Sequence, residues 1–125
     1  MDKIQYIMEI ISWEDTIILS PKNKKGDDIM IGIYKITNKI NGHSYIGLST
    51  KIEDRWEYHK DPYNWARENT KLLYIAFQKY GIDNFEFTIL EECKTSELGQ
   101  KEEYYIHKYD TYNNGYNMTI GGESN

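Results

Sequence analysis

Two short segments of the 125-residue chain mirror one another: Gly32-Ile33-Tyr34 and, after ten intervening residues, Tyr45-Ile46-Gly47. Each sits in a run rich in β-branched and aromatic residues, Ile29 to Thr37 and His43 to Leu48, the composition that suits a pleated strand. Asn38-Lys39-Ile40-Asn41-Gly42 between them is turn-rich, too short for a crossover, so the strands are expected to pair antiparallel. A four-residue loop at 38–41 sets Thr37 opposite Gly42, Tyr34 opposite Tyr45 and Gly32 opposite Gly47. Directly opposite residues share a sheet face with Cβ atoms roughly 5 Å apart. Two phenols then stand side by side above a patch bared by two glycines. A loop two residues shorter keeps the phenols on one face but separates them along the strands.

Further along, Thr50-Lys51-Ile52-Glu53 reads as a capping box, which opens a helix. Ile52, Arg55, Trp56 and His59 follow at i, i+3, i+4 and i+7 as one stripe, and Asp61-Pro62 ends it. A second helix is expected over about 70–80, burying Leu72, Leu73, Ala76 and Phe77 and stopped by Gly81. Asn84 to Leu90 is a third strand with Phe85, Phe87 and Ile89 on one face. A third helix runs from about Ser96 to Tyr109, followed by a turn at Asn113-Asn114-Gly115-Tyr116-Asn117 and a close at Gly121-Gly122. The order ββααβα predicts an α+β fold, a small three-stranded antiparallel sheet flanked by helices. This domain spans 29–125. Residues 1–28 form an extension without an assigned role. In it Ile4, Ile7, Met8 and Ile11 have helical spacing, Thr16-Ile17-Ile18-Leu19 is β-like, and the polar stretch from Pro21 to Asp28 reads as a linker or long loop.

Composition excludes several classes. No apolar run approaches the roughly 20 residues that span a bilayer, so no membrane partner is expected. The one cysteine, Cys93, excludes an intramolecular disulfide and a Cys-rich zinc site, and it suits a reducing, cytoplasmic setting. His43, His59 and His107 are too few and scattered for a zinc centre. The net charge of −5 argues by itself against tight nucleic-acid binding, which rests on neutralising phosphates. The middle of the chain qualifies that argument, because residues 31–72 hold seven basic and five acidic side chains while 73–125 hold four and nine.

Three charged or polar residues occupy apolar stripes. Glu102 lies among Leu98, Tyr105, Ile106 and Tyr109 on the third helix, where a carboxylate is costly unless paired or bound to a cation. Neighbouring Glu103 points about 100° away and reads as a solvated charge. Glu102 is therefore either one half of a structural ion pair, with Arg55 as partner, or a ligand for a hard divalent cation, which needs only one or two carboxylates plus phosphate and water. Arg55 and His59 repeat the anomaly on the first helix. Cutting a phosphodiester with water needs a cation at the phosphate, a base for the water and an acid for the leaving oxygen. A carboxylate, an arginine, a histidine and two phenols supply those roles, the planar arginine fork suiting the phosphate.

With these residues in order, the chain resembles the GIY-YIG nuclease family, which is named for Gly32-Ile33-Tyr34 and Tyr45-Ile46-Gly47. The family's arginine, ten residues past the second tyrosine, falls on Arg55, and its Arg-x-x-x-His pattern on Arg55 and His59. Its metal-binding glutamate falls on Glu102, with Tyr104-Tyr105 behind it. Its late Gly-Tyr-Asn falls on Gly115-Tyr116-Asn117, and Lys79-Tyr80-Gly81 is a typical stop for the second helix. The resemblance covers about 29–122. It implies a DNA endonuclease of homing or mobile-element type, with Mg²⁺ or Mn²⁺ on Glu102 and Arg55 on the phosphate. Tyr34, helped by Tyr45 or His59, takes a proton from the attacking water, and Asn117 orients the backbone or the site. The two tyrosines are interchangeable in role within the resemblance. Alternatives are a small oligomerising restriction-type enzyme, or a catalytically idle DNA-binding accessory domain. The intact set of Tyr34, Tyr45, Arg55, His59 and Glu102 argues against the idle form. Two departures stand out. Some members carry a histidine shortly before the second helix, where this chain reads Trp65-Ala66-Arg67-Glu68-Asn69, leaving Glu68 or Asn69 for that place. Homing-type members place DNA recognition after the catalytic domain, so specificity is expected in residues 1–28, in a further part of a longer chain, or in a partner or second copy.

Overall fold

The structure, a computed structural model, describes residues 5–10, 17–22 and 29–122. It divides into two compact units, 1–30 and 31–125. In the first, β1 (Gln5–Ile10) and β2 (Ile17–Lys22) pair antiparallel from Gln5↔Lys22 to Ile10↔Ile17. Ile7 and Met8, read at helical spacing with Ile4 and Ile11, therefore lie in a strand, while Ile4 and Ile11 fall outside the described residues. Four apolar positions are too few to set a period, and an adjacent partner strand satisfies the backbone instead. Pro21 and Lys22 belong to β2; the rest of the expected linker, 23–28, lies outside the described residues.

The second unit is built on a three-stranded sheet of order β4-β3-β5, with β3 Gly32–Asn38, β4 Ser44–Ser49 and β5 Phe85–Glu92, antiparallel throughout. Around it lie α1 (Ile52–Lys60), α2 (Pro62–Arg67), α3 (Leu72–Tyr80) and α4 (Leu98–Tyr109). The architecture is the expected α+β one with an additional short helix. That helix, α2, starts where the sequence marks a stop. Pro62 sits at its first turn, where a missing N–H costs nothing, and the Asp61 side chain accepts from Tyr63 N–H at 3.0 Å. Among the described residues no helix is long and apolar enough to cross a membrane.

The β3–β4 register differs from the expectation by two residues. Thr37 pairs with Ser44, Ile36 with Tyr45, Tyr34 with Gly47 and Gly32 with Ser49. The loop is longer because Asn38 organises it. Its C=O accepts from Gly42 N–H and its N–H donates to His43 C=O, both at 2.8 Å, while its side chain accepts from Ile40 N–H at 2.9 Å. Tyr34 and Tyr45 still share a face, as diagonal neighbours with ring centroids 6.3 Å apart. The glycines do not face each other. The Tyr34 ring lies over Gly47, where a Cβ would overlap it, and Gly32 lies against Glu91 of a bulged stretch of β5.

The two sheet faces bury different cores. One presents Ile33 and Ile46 to Leu98 and Ile106 of α4. The other is aromatic: Trp56 meets Phe87 edge-on at 5.6 Å, and Phe77 meets Phe85 at 4.8 Å, geometry that ring quadrupoles favour. Helix starts and faces depart from expectation in detail. Lys51, not Thr50, is the N-cap of α1, without a side-chain cap; Ser49 Oγ accepts from Lys51 N–H at 2.8 Å instead. On α3, Leu72 is exposed, while Tyr74 is buried with Leu73, Ala76 and Phe77. Gly81 ends α3 as expected, at φ 88°. The first turn of the expected third helix, 95–97, is 3₁₀ rather than α.

Gly47→Ala should therefore destabilise the domain. A methyl at this position collides with the Tyr34 ring, and overpacking of this kind costs about 1–3 kcal/mol. Urea denaturation of the variant against wild type measures it; an unchanged midpoint contradicts the packing described.

Candidate active site

The site forms at the open edge of the sheet. β4 is an edge strand, and the outward N–H and C=O groups of Ile46 need partners. Asn117 provides both: its side-chain oxygen accepts from Ile46 N–H at 2.8 Å and its NH₂ donates to Ile46 C=O at 2.9 Å. Tyr116 N–H donates to Ser44 C=O at 2.9 Å one step along. The C-terminal segment is thereby laid along β4. With Tyr45, His59 and Glu102 it walls a cleft of about 200 Å³, which Lys71, Leu73 and Asn117 also line.

Beneath the cleft wall lies a buried polar chain. Tyr34, on β3, is hydrogen-bonded through its hydroxyl to His59 Nε2 at 2.7 Å, and His59 Nδ1 is hydrogen-bonded to the Tyr74 hydroxyl of α3 at 2.9 Å. Helix α1 delivers His59 because its stripe faces inward: Ile52 and His59 are buried, and Arg55 and Trp56 half-buried. Burial pulls the His59 pKa down to about 3, the nearby Arg55 and Lys71 charges adding to the effect. The ring is thus neutral, with one donor and one acceptor nitrogen. Burial pushes the Tyr34 phenol well above its ordinary pKa, Tyr45 adds to the rise, and Arg55 opposes it through its charge and a side-chain hydrogen bond. Tyr45 is raised as well, again by burial first and against Arg55. For Arg55 burial works against the charge, but the Tyr34 and Tyr45 oxygens outweigh it and raise its pKa.

Glu102 is half-buried on α4 while Glu103 is exposed. The chain folds back over it at Gly121-Gly122, both at positive φ (85° and 81°), and Gly122 N–H donates to Glu102 Oε1 at 3.3 Å. A side chain at Gly121 would meet Ile106 Cδ1 at 2.7 Å, so glycine is needed there for space as well as for φ. Among the described residues no three His, Cys, Asp or Glu side chains are grouped to hold a metal. Glu102 offers a hard carboxylate oxygen at an open cleft, the donor type that Mg²⁺ or Mn²⁺ takes together with water and phosphate.

The structure thus brings Tyr45, His59, Glu102 and Asn117 to one cleft. Tyr34 lies behind it, reached through His59, and Arg55 lines a second groove with Leu48, Ser49 and Thr50. Glu68, which the sequence offers in place of a histidine, accepts from the Tyr58 hydroxyl and pairs with Lys71 at 3.0 Å; Asn69 is exposed. Sequence reasoning missed Tyr74 and Lys71. Tyr74 reads only as one more apolar residue in the second helix, and no spacing rule connects it to His59, fifteen positions earlier.

The chain that builds this cleft matches the GIY-YIG catalytic domain model over residues 30–117, well over half of its length, and therefore belongs to the GIY-YIG family. It is similar to Intron-associated endonuclease 1 of Enterobacteria phage T4, 34% identical over 90 residues, covering 70% of this chain and 36% of that protein. Among solved structures it resembles a variant of the catalytic domain of intron endonuclease I-TevI, with TM-score 0.64 and 30% identity, covering 74% of this chain and 96% of that one. A second structure, of the Catalytic Domain of Homing Endonuclease I-TevI, gives TM-score 0.61 and 29% identity, covering 71% and 98%. The chain spans between 34% and 41% of the length of the curated phage and viral relatives it matches.

The depressed His59 pKa has a stability consequence. Between the folded value of about 3 and the ordinary 6.5, the unfolded chain binds a proton that the folded one does not. The contribution is fully present above pH 6.5 and is lost as pH falls toward 3, with a slope of up to about 1.4 kcal/mol per pH unit from this group. Urea denaturation between neutral pH and pH 4.5, together with His59 ring resonances that do not titrate over that range, checks it.

Proposed function

We propose that this chain is a metal-dependent DNA endonuclease of the homing type, hydrolysing phosphodiester bonds in the cleft beside β4. The observation that carries the reading is the convergence of Glu102, Tyr45, His59 and Asn117 on one cleft, with the Tyr34 hydroxyl hydrogen-bonded to His59 behind it. The relatives are named as endonucleases, and the basic middle third of the chain supplies Tyr45, His59 and Lys71 to the cleft.

Glu102 would hold the divalent cation, Mg²⁺ or Mn²⁺. When bound, that cation supplies positive charge against the charge building on the phosphoryl oxygens. Arg55 donates its fork to a non-bridging phosphate oxygen and keeps its charge at any working pH. Tyr34 receives a proton from the attacking water. The water oxygen bonds to phosphorus, the ester P–O bond breaks, and the departing alcohol takes a proton from solvent in the cleft. The cost lies at Tyr34, whose burial holds its proton on; in the substrate complex that proton has to pass to solvent in the cleft before the water's can be taken, and the Arg55 charge favours the phenolate left behind. Tyr45 positions the water, and Asn117 holds the strand that carries Tyr45.

Supercoiled plasmid incubated with Mg²⁺ or Mn²⁺ should be nicked or linearised, and EDTA should stop it. Glu102→Gln should abolish cleavage while DNA binding and the urea midpoint stay close to wild type, because only the charge that would hold the cation is removed. Full activity of that variant excludes the metal assignment.

Tyr34→Phe should slow single-turnover cutting about 10²–10⁴-fold, the usual worth of general-base help, and Tyr45→Phe should cost less. Tyr34→Phe also strands a buried His59 nitrogen, a penalty of about 1–3 kcal/mol, so rates are compared where both variants are folded by circular dichroism. If Tyr45→Phe is the dead variant, the two roles exchange.

A further inference from the structure

We infer that Lys71 is a substrate-binding residue of the cleft: its ammonium donates to a non-bridging oxygen of the DNA phosphate that is cut. This deepens the functional reading above and rests on it.

The first observation is one of charge. Among the described residues that line the cleft, Lys71 is the one cation and Glu102 the one anion. His59, the other basic group there, is kept neutral at neutral pH by its burial, and Arg55 lines the second groove. A DNA phosphate carries one negative charge on entering. Once the water oxygen, stripped of its proton, has bonded to phosphorus, the group carries two, and a cation within reach gains most at that stage. The cleft, about 200 Å³, is smaller than the roughly 300 Å³ at which sites for whole small molecules begin. It suits a phosphate group rather than a length of strand, so the phosphate that Lys71 meets there is the one that Glu102 faces.

The second observation is that Lys71 is badly suited to the helix it opens. It is the N-cap of α3 and provides no side-chain cap, where Ser, Thr, Asp or Asn would bind a free N–H. Its positive charge also stands at the positive end of the helix dipole. Its ion pair with Glu68, at 3.0 Å and i,i+3, leaves the Lys71 side chain 37% exposed, and pairs this exposed add little to folding. A residue that breaks local rules with no return in stability is expected where function has set it. The pair aims the ammonium instead. Glu68 is itself fixed, its other carboxylate oxygen accepting from the Tyr58 hydroxyl, and the ammonium lies 5.4 Å from the centre of the Tyr74 ring. An ammonium has three donors. Glu68 takes one, leaving two for a phosphate oxygen. The Lys71 charge already reaches the site, since it helps to hold the His59 pKa down.

Three variants of the full chain test this. Lys71→Gln should cut about 10–100-fold more slowly in single turnover at saturating protein, at or below the cost of losing one donor to a developing oxyanion, with a urea midpoint no lower than wild type. Lys71→Arg should keep most of the rate. Glu68→Gln removes only a competing charge and should cut no more slowly than wild type. Binding to a short duplex in Ca²⁺, followed by anisotropy over a range of salt, supplies a second readout. Lys71→Gln should lower the slope of log affinity against log salt by about 0.9, the share of one phosphate, and Lys71→Arg should restore it. A wild-type saturating rate in Lys71→Gln overturns the inference even with a changed slope, because Lys71 then meets a flanking phosphate. An equal loss in Glu68→Gln overturns it as well, because the ion pair is then structural. If wild-type protein does not cut with Mg²⁺ or Mn²⁺, the functional reading fails, and the salt slope alone decides whether Lys71 meets a phosphate.

Discussion

An edge strand exposes a row of backbone donors and acceptors, and this fold depends on how that exposure is met. The open edge of β4 is closed by one side-chain amide. Asn117 supplies an acceptor and a donor at the spacing of the Ile46 N–H and C=O, so the C-terminal segment is held along the strand without becoming one. A true fourth strand would have covered Tyr45. An uncovered edge would have invited pairing with another chain. The amide clasp does neither, and the space it leaves between the segment, α3 and α4 is the cleft.

The same face shows how a small domain accommodates polar chemistry within an apolar core. Tyr34 lies over Gly47 and among Trp56, Tyr45 and His59, so its ring contributes to packing while its hydroxyl is committed to the imidazole. Burying an imidazole and two phenols is tolerable because they satisfy one another in a line and none carries a charge at neutral pH. The positive charge of Arg55 stands at the end of that line, half-buried, where the phenol oxygens favour it. Packing and the proposed reactivity therefore rest on the same few atoms.

The site residues lie on both sides of the sheet. Tyr34, Tyr45 and His59 belong to the aromatic face, whereas Glu102 belongs to α4, which covers the aliphatic face at Ile33 and Ile46. They meet only because β4 is the last strand on its side. Around its edge, side chains from the two layers reach a common space. Gly121-Gly122 completes that space by folding the chain back over Glu102, at a φ that a side-chain-bearing residue rarely adopts.

Much of this was determined by the sequence alone. The mirrored strands, the polar stripe of α1, the misplaced carboxylate at Glu102 and the glycine stop after α3 are local patterns with local causes, and they suffice for the α+β fold and for Tyr34, Tyr45, Arg55, His59 and Glu102 as candidates, while Asn117 entered through the family resemblance. Local pattern also misled. Ile7 and Met8 have helical spacing with Ile4 and Ile11 yet lie in a strand, and Asp61-Pro62, a stop for one helix, starts another. The hairpin register depended on hydrogen bonds of Asn38 within the loop, and two residues of slip preserved the shared face while replacing the glycine pair with a ring stacked over Gly47. Only the tertiary structure decided that Tyr74 meets His59, that Leu72 faces outward and that Asn117 binds a strand seventy-one residues away. Periodicity shows which side of an element turns inward. It does not show which inward side chains from different elements meet, because hydrogen-bond partners are set by how the layers close around one another.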